Sequence, residues 1–191
     1  MARVSKEQTQ QNRELLLDAA GRLFREHGID GIGVADLSKA AGMTHGALYS
    51  RFGSKDSLAA EAFAHGHEQS ESRMDDEIGS RPSLEQIIAF YVSPRQRDNL
   101  ANCCPMLASA SEATRQSDAL RTEFATAYRR LSNKIEAAID VPTEETQKSR
   151  LIAAAMIGIV AVARALSSVD PQGSDDLLSS APSILSGIAA P

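Results

Sequence analysis

The segment VADLSKAAGMTHGALYSRFGSKDSL, which begins at Val34, constrains the fold more than any other part of the chain. Val34 and Leu37 lie at helical spacing and give a first short helix an apolar face. Gly42 can adopt the left-handed backbone that ends a helix, and Thr44 can cap a second helix by accepting from its free N–H groups. Two short helices joined by a glycine turn form a helix-turn-helix, whose second helix enters the DNA major groove. We expect this element at about residues 34–53.

The composition favours closely packed helices. The chain has 191 residues, of which 42% are hydrophobic and 4% aromatic, with no Trp, so its core is mainly Ala, Leu, Ile and Val. Long alternating patterns typical of strands are absent. We therefore expect an all-α fold of about nine helices. An N-terminal domain would cover residues 1–54 and a C-terminal helical domain residues 55–191, linked by the helix that starts at Lys55.

Glycine, proline and capping residues predict where the segments begin and end. A first helix is expected from Lys6 to His27, after a basic arm at residues 1–6. Further along, the pattern predicts a loop from Pro94 to Asn102 and a helix from Pro105 to Gln116. The last helix is expected from about Ser174 to Ala189.

Nothing in the sequence predicts export or a membrane span. Cys103 and Cys104 are the only cysteines and are adjacent, which is no disulfide framework and is typical of a reducing compartment. The N-terminus lacks the apolar core of a signal peptide. The longest apolar run, Leu151–Ala163, is shorter than the roughly 20 residues of a membrane span, and Arg164 follows it. We expect a cytoplasmic protein without a membrane partner.

Charge is unevenly distributed along the chain. The formal net charge is −5 at pH 7, divided into +1 for residues 1–56 and −6 for residues 57–191. Nucleic-acid binding requires a local basic surface rather than a basic protein. Residues that could supply such a surface are Arg3, Lys6, Arg13, Lys39, Arg51 and Lys55.

Two patterns in the first 60 residues indicate a family. They are AxxLFxxxG from Ala20 to Gly28 and AAGxxxGxLYxxFxSKxxL from Ala40 to Leu58. The matching residues are Leu16, Ala19, Ala20, Phe24, Gly28, Leu37, Ala40, Ala41, Gly42, Leu48, Tyr49, Phe52, Ser54, Lys55 and Leu58. In these residues the chain resembles the TetR family of bacterial transcriptional regulators. The resemblance implies a ligand-responsive repressor that binds a palindromic double-stranded DNA operator as a homodimer and is released by a small-molecule effector.

The DNA-binding residues are expected on and around the second short helix. The resemblance implies that Tyr49 and Lys55 bind phosphates, and Arg51 can add to them. Because few long side chains are available, His45 is the candidate for a base contact. The predicted DNA-binding residues are Gly33, Thr44, His45, Gly46, Ala47, Tyr49, Ser50, Arg51 and Lys55. The alternative is that Tyr49 belongs to the core and Lys55 is a solvated charge.

One position departs from the family pattern. Members usually have Thr or Ser at the start of the helix that here begins at Val34, where the hydroxyl caps the helix and touches a phosphate. This chain has Gly33 there. Glycine is an acceptable cap and leaves backbone N–H groups free for a phosphate. We therefore expect a weaker contact made by the main chain alone.

The resemblance implies two further sites in the C-terminal domain. The last two helices would pair with their copies in a four-helix dimer interface that contains Leu151, Ala155, Gly158, Val162, Leu166, Leu177, Ile184 and Leu185. An effector pocket would lie among the preceding helices and be lined by Phe90, Tyr91, Cys104, Met106, Phe124, Tyr128, Leu131 and Met156. Ordinary core packing within one chain is the alternative for each of these residues.

Two other functions remain open at the level of the sequence. A thiol at Cys103 or Cys104, beside a helix that begins at Pro105, could sense electrophiles or oxidants, although free cysteine also occurs as a small buried hydrophobe. A helical adaptor without DNA function is the second. Because GxSxG, Walker, GxGxxG and HExxH motifs are absent, we expect no enzyme activity and no cofactor. His65 and His67 are two residues apart on different sides of a helix, so we expect no metal site.

Overall fold

The structure is a computed structural model that describes residues 6–139 and 146–189. The helices in these two ranges are α1 (Lys6–His27), α2 (Val34–Ala40), α3 (His45–Phe52), α4 (Lys55–Ile78), α5 (Leu84–Tyr91), α6 (Pro94–Asp98), α7 (Pro105–Ser109), α8 (Asp118–Ile139), α9 (Thr146–Leu166) and α10 (Pro171–Ala189). Two short 3-10 helices lie at Leu100–Asn102 and Ala113–Arg115. These residues contain no strand, so the all-α fold is confirmed. The basic arm expected at residues 1–6 lies almost wholly outside the described ranges.

Capping residues set the ends of the short helices. The Thr44 hydroxyl accepts from the Ala47 N–H at 3.2 Å at the start of α3, and the Ser54 hydroxyl accepts from the Ser57 N–H at 3.0 Å at the start of α4. Gly42, with φ +61°, provides the left-handed turn between α2 and α3. The sequence signals for the helix-turn-helix therefore act as expected.

The other differences from the sequence prediction lie in polar segments. Pro94–Asn102 is not a loop, because Ser93 caps the five-residue helix α6 and Pro94 occupies its first turn. Helix α7 ends at Ser109 instead of continuing to Gln116. Helix α10 begins at Pro171 rather than Ser174, since the Asp170 carboxylate accepts from the Gly173 N–H at 3.0 Å. Apart from these changed ends, the nine described α-helices other than α6 correspond to the nine expected, and α6 is additional.

Two hydrophobic clusters divide the molecule into a head and a body. The head is the cluster formed by α1–α3 and the start of α4, and it includes Leu16, Leu37, Leu48, Phe52 and Leu58. The body cluster is formed by the rest of α4, by α5 and by α7–α10, and it includes Met74, Ile88, Met106, Ile135 and Met156. Helix α4 belongs to both. Leu120 of α8 packs in the head cluster, so the body also contributes to the core of the head.

Polar contacts join the head to the body at the C-terminal end of α1. The Arg25 guanidinium donates to the Ala101 carbonyl, with an Nε–O distance of 2.9 Å. The Ile29 N–H donates to the Glu112 carboxylate at 2.8 Å. Both acceptors lie between α6 and α8, so this stretch of the body holds the end of α1 in place.

The same stretch is anchored to α9 by Arg164. Its guanidinium donates to the carbonyls of Gln96 at 2.8 Å, Arg97 at 3.0 Å and Leu107 at 2.8 Å. The side chain is half-buried, and a planar guanidinium can satisfy several carbonyls that water would reach poorly. Arg164 therefore fixes α6 and α7 against the last helix pair.

We predict that Arg164→Ala lowers the free energy of unfolding by about 2–4 kcal/mol, because three charge-assisted hydrogen bonds to carbonyls are lost. Urea denaturation followed by circular dichroism measures this. Arg81→Ala is the matched control, since Arg81 is exposed and makes no ion pair within the described residues, and it should change stability by less than about 0.5 kcal/mol. Equal stability of the two variants would contradict the anchoring role.

Candidate nucleic-acid interface

Helix α3 is fixed on the head by its inner face. Leu48 and Phe52 are buried in the head cluster, at 0% and 5% exposure. The opposite side of the helix faces solvent, with Thr44, His45 and Ser50 exposed. A capped short helix with one buried face and one bare polar face can enter a DNA groove without losing core contacts.

Most of the predicted DNA-binding side chains lie on this bare surface. Tyr49 is 41% exposed, so it does not belong to the core, and its ring lies 5.1 Å from that of His45. The remaining predicted residues on α3 are exposed at Gly46 and Arg51 and half-buried at Ala47. The Ser50 hydroxyl donates to the Ala47 carbonyl at 3.0 Å and keeps its lone pairs for a donor. The helix thus offers one long cation, one imidazole, one phenol and several small groups.

Two helix N-termini near α3 are candidates for phosphate contact. Gly33 is the N-cap of α2, in extended backbone with φ −82°, and no side chain caps the helix there. Lys55 is the first residue of α4 and is half-buried beside the Ser54 cap. Free N–H groups and the helix dipole favour anions at both places. The expectation that any phosphate contact at Gly33 is made by the main chain stays a prediction, and its uncapped geometry is consistent with it.

Arg13 was expected on the basic surface, but the structure gives it a different role. Its guanidinium lies 5.1 Å from the centre of the Phe52 ring and pairs with Glu61 of α4. The cation is therefore engaged by a ring and a carboxylate of its own head. Arg13 braces the end of α3 against α4. Nothing in the sequence indicated this pairing, because Glu61 is 48 residues away.

The predicted effector-pocket residues meet in the body, where they are packed as core. Tyr91, Cys104, Met106, Leu131 and Met156 are 0–3% exposed and belong to the body cluster together with Phe90. Phe124 and Tyr128 are half-buried against it. Phe90 also borders an open groove with Arg73 and Arg95, whereas Tyr128 borders a shallow one with Leu151. The eight residues therefore do not share one open cavity in this conformation.

Sequence reasoning missed two polar atoms in this region. His67 Nε2 and Ser70 Oγ on α4 are buried. His67 Nε2 lacks a hydrogen-bond partner within the described residues, and Ser70 Oγ has only the weakly bonding Cys104 thiol beside it. Burial lowers the pKa of His67, even though Glu71 lies 3.5 Å from its Nδ1. Buried polar groups without a partner are uncommon. The sequence shows a histidine at position 67 but not that it is buried, because its burial depends on the packing of α4 against α8.

The two cysteines are poor candidates for a sensor. Both are buried, and burial raises the pKa of Cys104 to about 11 and also raises the pKa of Cys103. A thiol rather than a thiolate is then present near neutral pH, and the thiolate is the nucleophile. The thiol-sensing alternative is therefore not favoured, because burial outweighs any help from the helix that begins at Pro105.

Helices α9 and α10 carry apolar side chains on their outer side. Leu151, Val162 and Ile184 are 59%, 51% and 62% exposed. Gly158 is exposed as well, while Ala155, Leu166 and Leu177 are half-buried. Leu185 differs from the rest of the predicted interface, because it is 3% exposed and packs in the body cluster of its own chain. The other residues are available to a partner, and Leu185 is not.

Helix α9 is also the one described helix that is long and apolar enough to cross a membrane, over Gln147–Leu166. About two fifths of that stretch, 39%, is buried within the protein. A core helix of a soluble protein has the same length and composition, so this observation is weak support for a membrane span.

The histidines do not form a metal pair. His65 Nε2 lies 2.9 Å from the Asp18 carboxylate of α1, whereas His67 faces Glu71. Within the described ranges, no group of three or more His, Cys, Asp or Glu side chains could hold a metal ion.

The head and its exposed α3 define a helix-turn-helix DNA-binding domain on an all-α body. Residues 16–62 match the model of bacterial regulatory proteins, tetR family. The match covers the head, which is therefore similar to the N-terminal domain of TetR-family regulators, as the sequence patterns indicated.

One relative is similar to the head in sequence, and two solved structures are similar to the chain in fold. The chain is 41% identical over 61 residues to the HTH-type transcriptional regulator AcrR of Shigella flexneri, covering 32% of this chain and 28% of that regulator. A TetR transcriptional regulator from Chloroflexus aurantiacus has a TM-score of 0.75 at 22% identity, covering 94% of this chain and 96% of that one. The transcriptional regulator FadR of Bacillus subtilis, in complex with stearoyl-CoA, has a TM-score of 0.62 at 20% identity, covering 92% and 97%. The structural likeness concerns the fold alone.

We predict that Lys55→Ala weakens DNA binding across sequences and lowers the salt slope of the binding constant by about one, because one phosphate contact is lost. His45→Ala should instead change the preference between related operators. Fluorescence anisotropy at several salt concentrations measures both effects. Lys134→Ala, which removes a lysine paired with Asp75 on the body, is the control. An unchanged salt slope in Lys55→Ala would rule out the phosphate assignment.

A second prediction concerns the N-cap of α2. Gly33→Ser should tighten DNA binding by roughly two- to tenfold, as expected for one added neutral hydrogen bond to a phosphate. An added Cβ would meet only the Asp36 carboxylate at 3.4 Å, so the substitution fits. Gly33→Ala adds the same Cβ without the hydroxyl and should leave the affinity unchanged. Equal affinities of the two variants would contradict a phosphate near this helix end.

Proposed function

We propose that the protein is a cytoplasmic transcriptional repressor, which binds a palindromic operator as a homodimer and is released by a small-molecule effector. The observation that carries the proposal is the bare polar side of α3, on a helix whose inner side is locked by Leu48 and Phe52. The few long side chains on α3 leave much of the specificity to small contacts and to DNA shape.

The dimer is supported by the outer side of α9 and α10. Leu151, Val162 and Ile184 are large apolar side chains that one chain leaves exposed. The exposed Gly158 lies among them in sequence and permits close approach of a second helix. Isologous pairing would position the two heads of the dimer so that each binds one of two DNA half-sites about 34–36 Å apart. We infer that a second copy of the chain covers this side.

The effector would bind in the body near α4. His67 Nε2 is a buried polar atom without a hydrogen-bond partner within the described part of the chain, and the buried Ser70 Oγ on the same helix has only the weakly bonding Cys104 thiol beside it. His67 borders a small groove between α4 and α8, where Phe63 and Ala127 belong to the body cluster. That cluster is rich in Met and aromatic side chains, which can repack around a ligand. The FadR structure with stearoyl-CoA is an example of a ligand complex in this fold. We infer an effector that is largely apolar and carries a hydrogen-bonding group.

A route for release follows from the contacts between body and head. A ligand that moves α4 or α7 would also move the Ala101 and Glu112 acceptors, which hold the end of α1. In a dimer, a small change in α1 and α4 alters the spacing of the two α3 helices. Coupling free energies of about 1–3 kcal/mol are typical of such linkage.

The proposal is tested by a gel shift with the DNA upstream of the protein's own gene, where the unaltered chain should retard the fragment as a dimer. Ile184→Asp should be a monomer by light scattering at micromolar concentration and should lose the shift, because a buried charge opposes the interface. Leu15→Asp is the matched control for the light-scattering measurement and should remain a dimer. Leu15 is 66% exposed and lies on α1, away from α9 and α10. A monomeric unaltered protein would contradict the dimer, and the absence of any DNA binding would contradict the function.

A further inference from the structure

A groove rich in hydrogen-bond donors separates α1 from α4 at the end nearest the body. It offers about 360 Å³ of space and is open to solvent on one side. Its lining residues are Asp18, Arg22, Arg25, Gln69, Ser72, Arg73 and Asn102. Three guanidinium groups and one carboxylate give it a net positive charge within a chain whose residues 57–191 carry −6.

The three arginines differ in how they are engaged. Arg25 donates to the Ala101 carbonyl, and Arg73 donates to the Asn102 carbonyl at 3.1 Å. These bonds use only part of each guanidinium. Arg22 is exposed and makes no hydrogen bond or ion pair with any described residue. The mutual repulsion of the three cations is therefore left without a neutralising partner on this side of α1.

The carboxylate of the groove does not fill that role. Asp18 lies 2.9 Å from His65 Nε2 and accepts from the Gln69 amide at 2.7 Å. Both contacts hold it against α4 rather than against Arg22. What remains on the groove surface is a set of donors from α1, from α4 and from the 3-10 helix that ends at Asn102.

We propose that this groove binds a small multivalent oxyanion, in which phosphate or carboxylate groups bridge α1 and α4. Arginine recognises such groups through paired N–H donors, and bonds between charged partners are the stronger ones. Ser72 and Asn102 add neutral donors at its edge. This site lies apart from the body cluster, and the proposal does not depend on the identity of the effector or on DNA binding.

Occupation of the groove would affect the attachment of the head. The groove lies beside the Arg25 contact that joins α1 to the body. An anion that links Arg22 to Arg73 adds to the connections between α1 and α4 that Arg13 and Asp18 already make. Binding therefore stabilises the arrangement of head and body described above.

The test is isothermal titration of the full chain at low ionic strength with pyrophosphate and, in a second arm, with citrate. The two arms distinguish a phosphate site from a carboxylate site. We expect saturable binding of at least one of them at one site per chain. Arg22→Ala should weaken it by about tenfold or more, as expected for the loss of one charge-assisted contact. Arg22→Lys should retain part of the affinity, because it keeps the charge without the fork of donors.

Arg129→Ala is the matched control, since Arg129 is an exposed helix arginine whose partner is Thr126 on its own helix. It should bind as the unaltered chain does. Arg22 lies on the surface and has no partner to lose, so its variants should fold, and circular dichroism checks this. The proposal is overturned if neither anion binds or if Arg22→Ala and Arg129→Ala bind equally. It is also overturned if Arg22→Ala lowers the salt slope of DNA binding, because Arg22 would then face DNA phosphates.

Discussion

The structure depends on helix α4, which is shared by two hydrophobic cores. Its 24 residues span about 36 Å at the usual helical rise. Leu58 and Ala62 near its start are buried in the head, whereas Phe63 and Met74 are buried in the body. A rigid helix that belongs to both cores cannot shift in one without disturbing the other. The position of α3 is therefore tied, through α4, to the packing of the body.

Polar contacts add a second connection that runs through the stretch between α5 and α8. Arg25 and Glu112 join this stretch to α1, and Arg164 joins it to α9. These bonds are made with backbone groups, so they fix the path of the chain rather than the identity of single side chains. The stretch thus lies between the head and the helices proposed to form the dimer. A change of packing at either end would reach the other through this segment.

The head could be predicted from the sequence in detail, whereas much of the body could not. The Thr44 cap and the Gly42 turn involve only neighbouring residues, so the local sequence pattern was enough to predict them. Helix α6 was missed because its polar side chains show no apolar periodicity and it depends on the Ser93 cap and on Arg164, some 70 residues away. The burial of Leu185 likewise depends on which side of α10 meets its neighbours. Long-range packing decided these cases, and a single sequence carries little signal for it.

In the proposed function, the exposed side of α3 reads DNA while the body holds the head in place. Hydrogen–deuterium exchange of the full chain, with and without a DNA duplex from upstream of the protein's own gene, tests this function most directly. We predict that DNA slows amide exchange in the first turn of α2, in α3 and in the first turn of α4, and leaves exchange in α5 and α6 unchanged. Slowed exchange confined to the body, or none in α3 when DNA is bound, would contradict it.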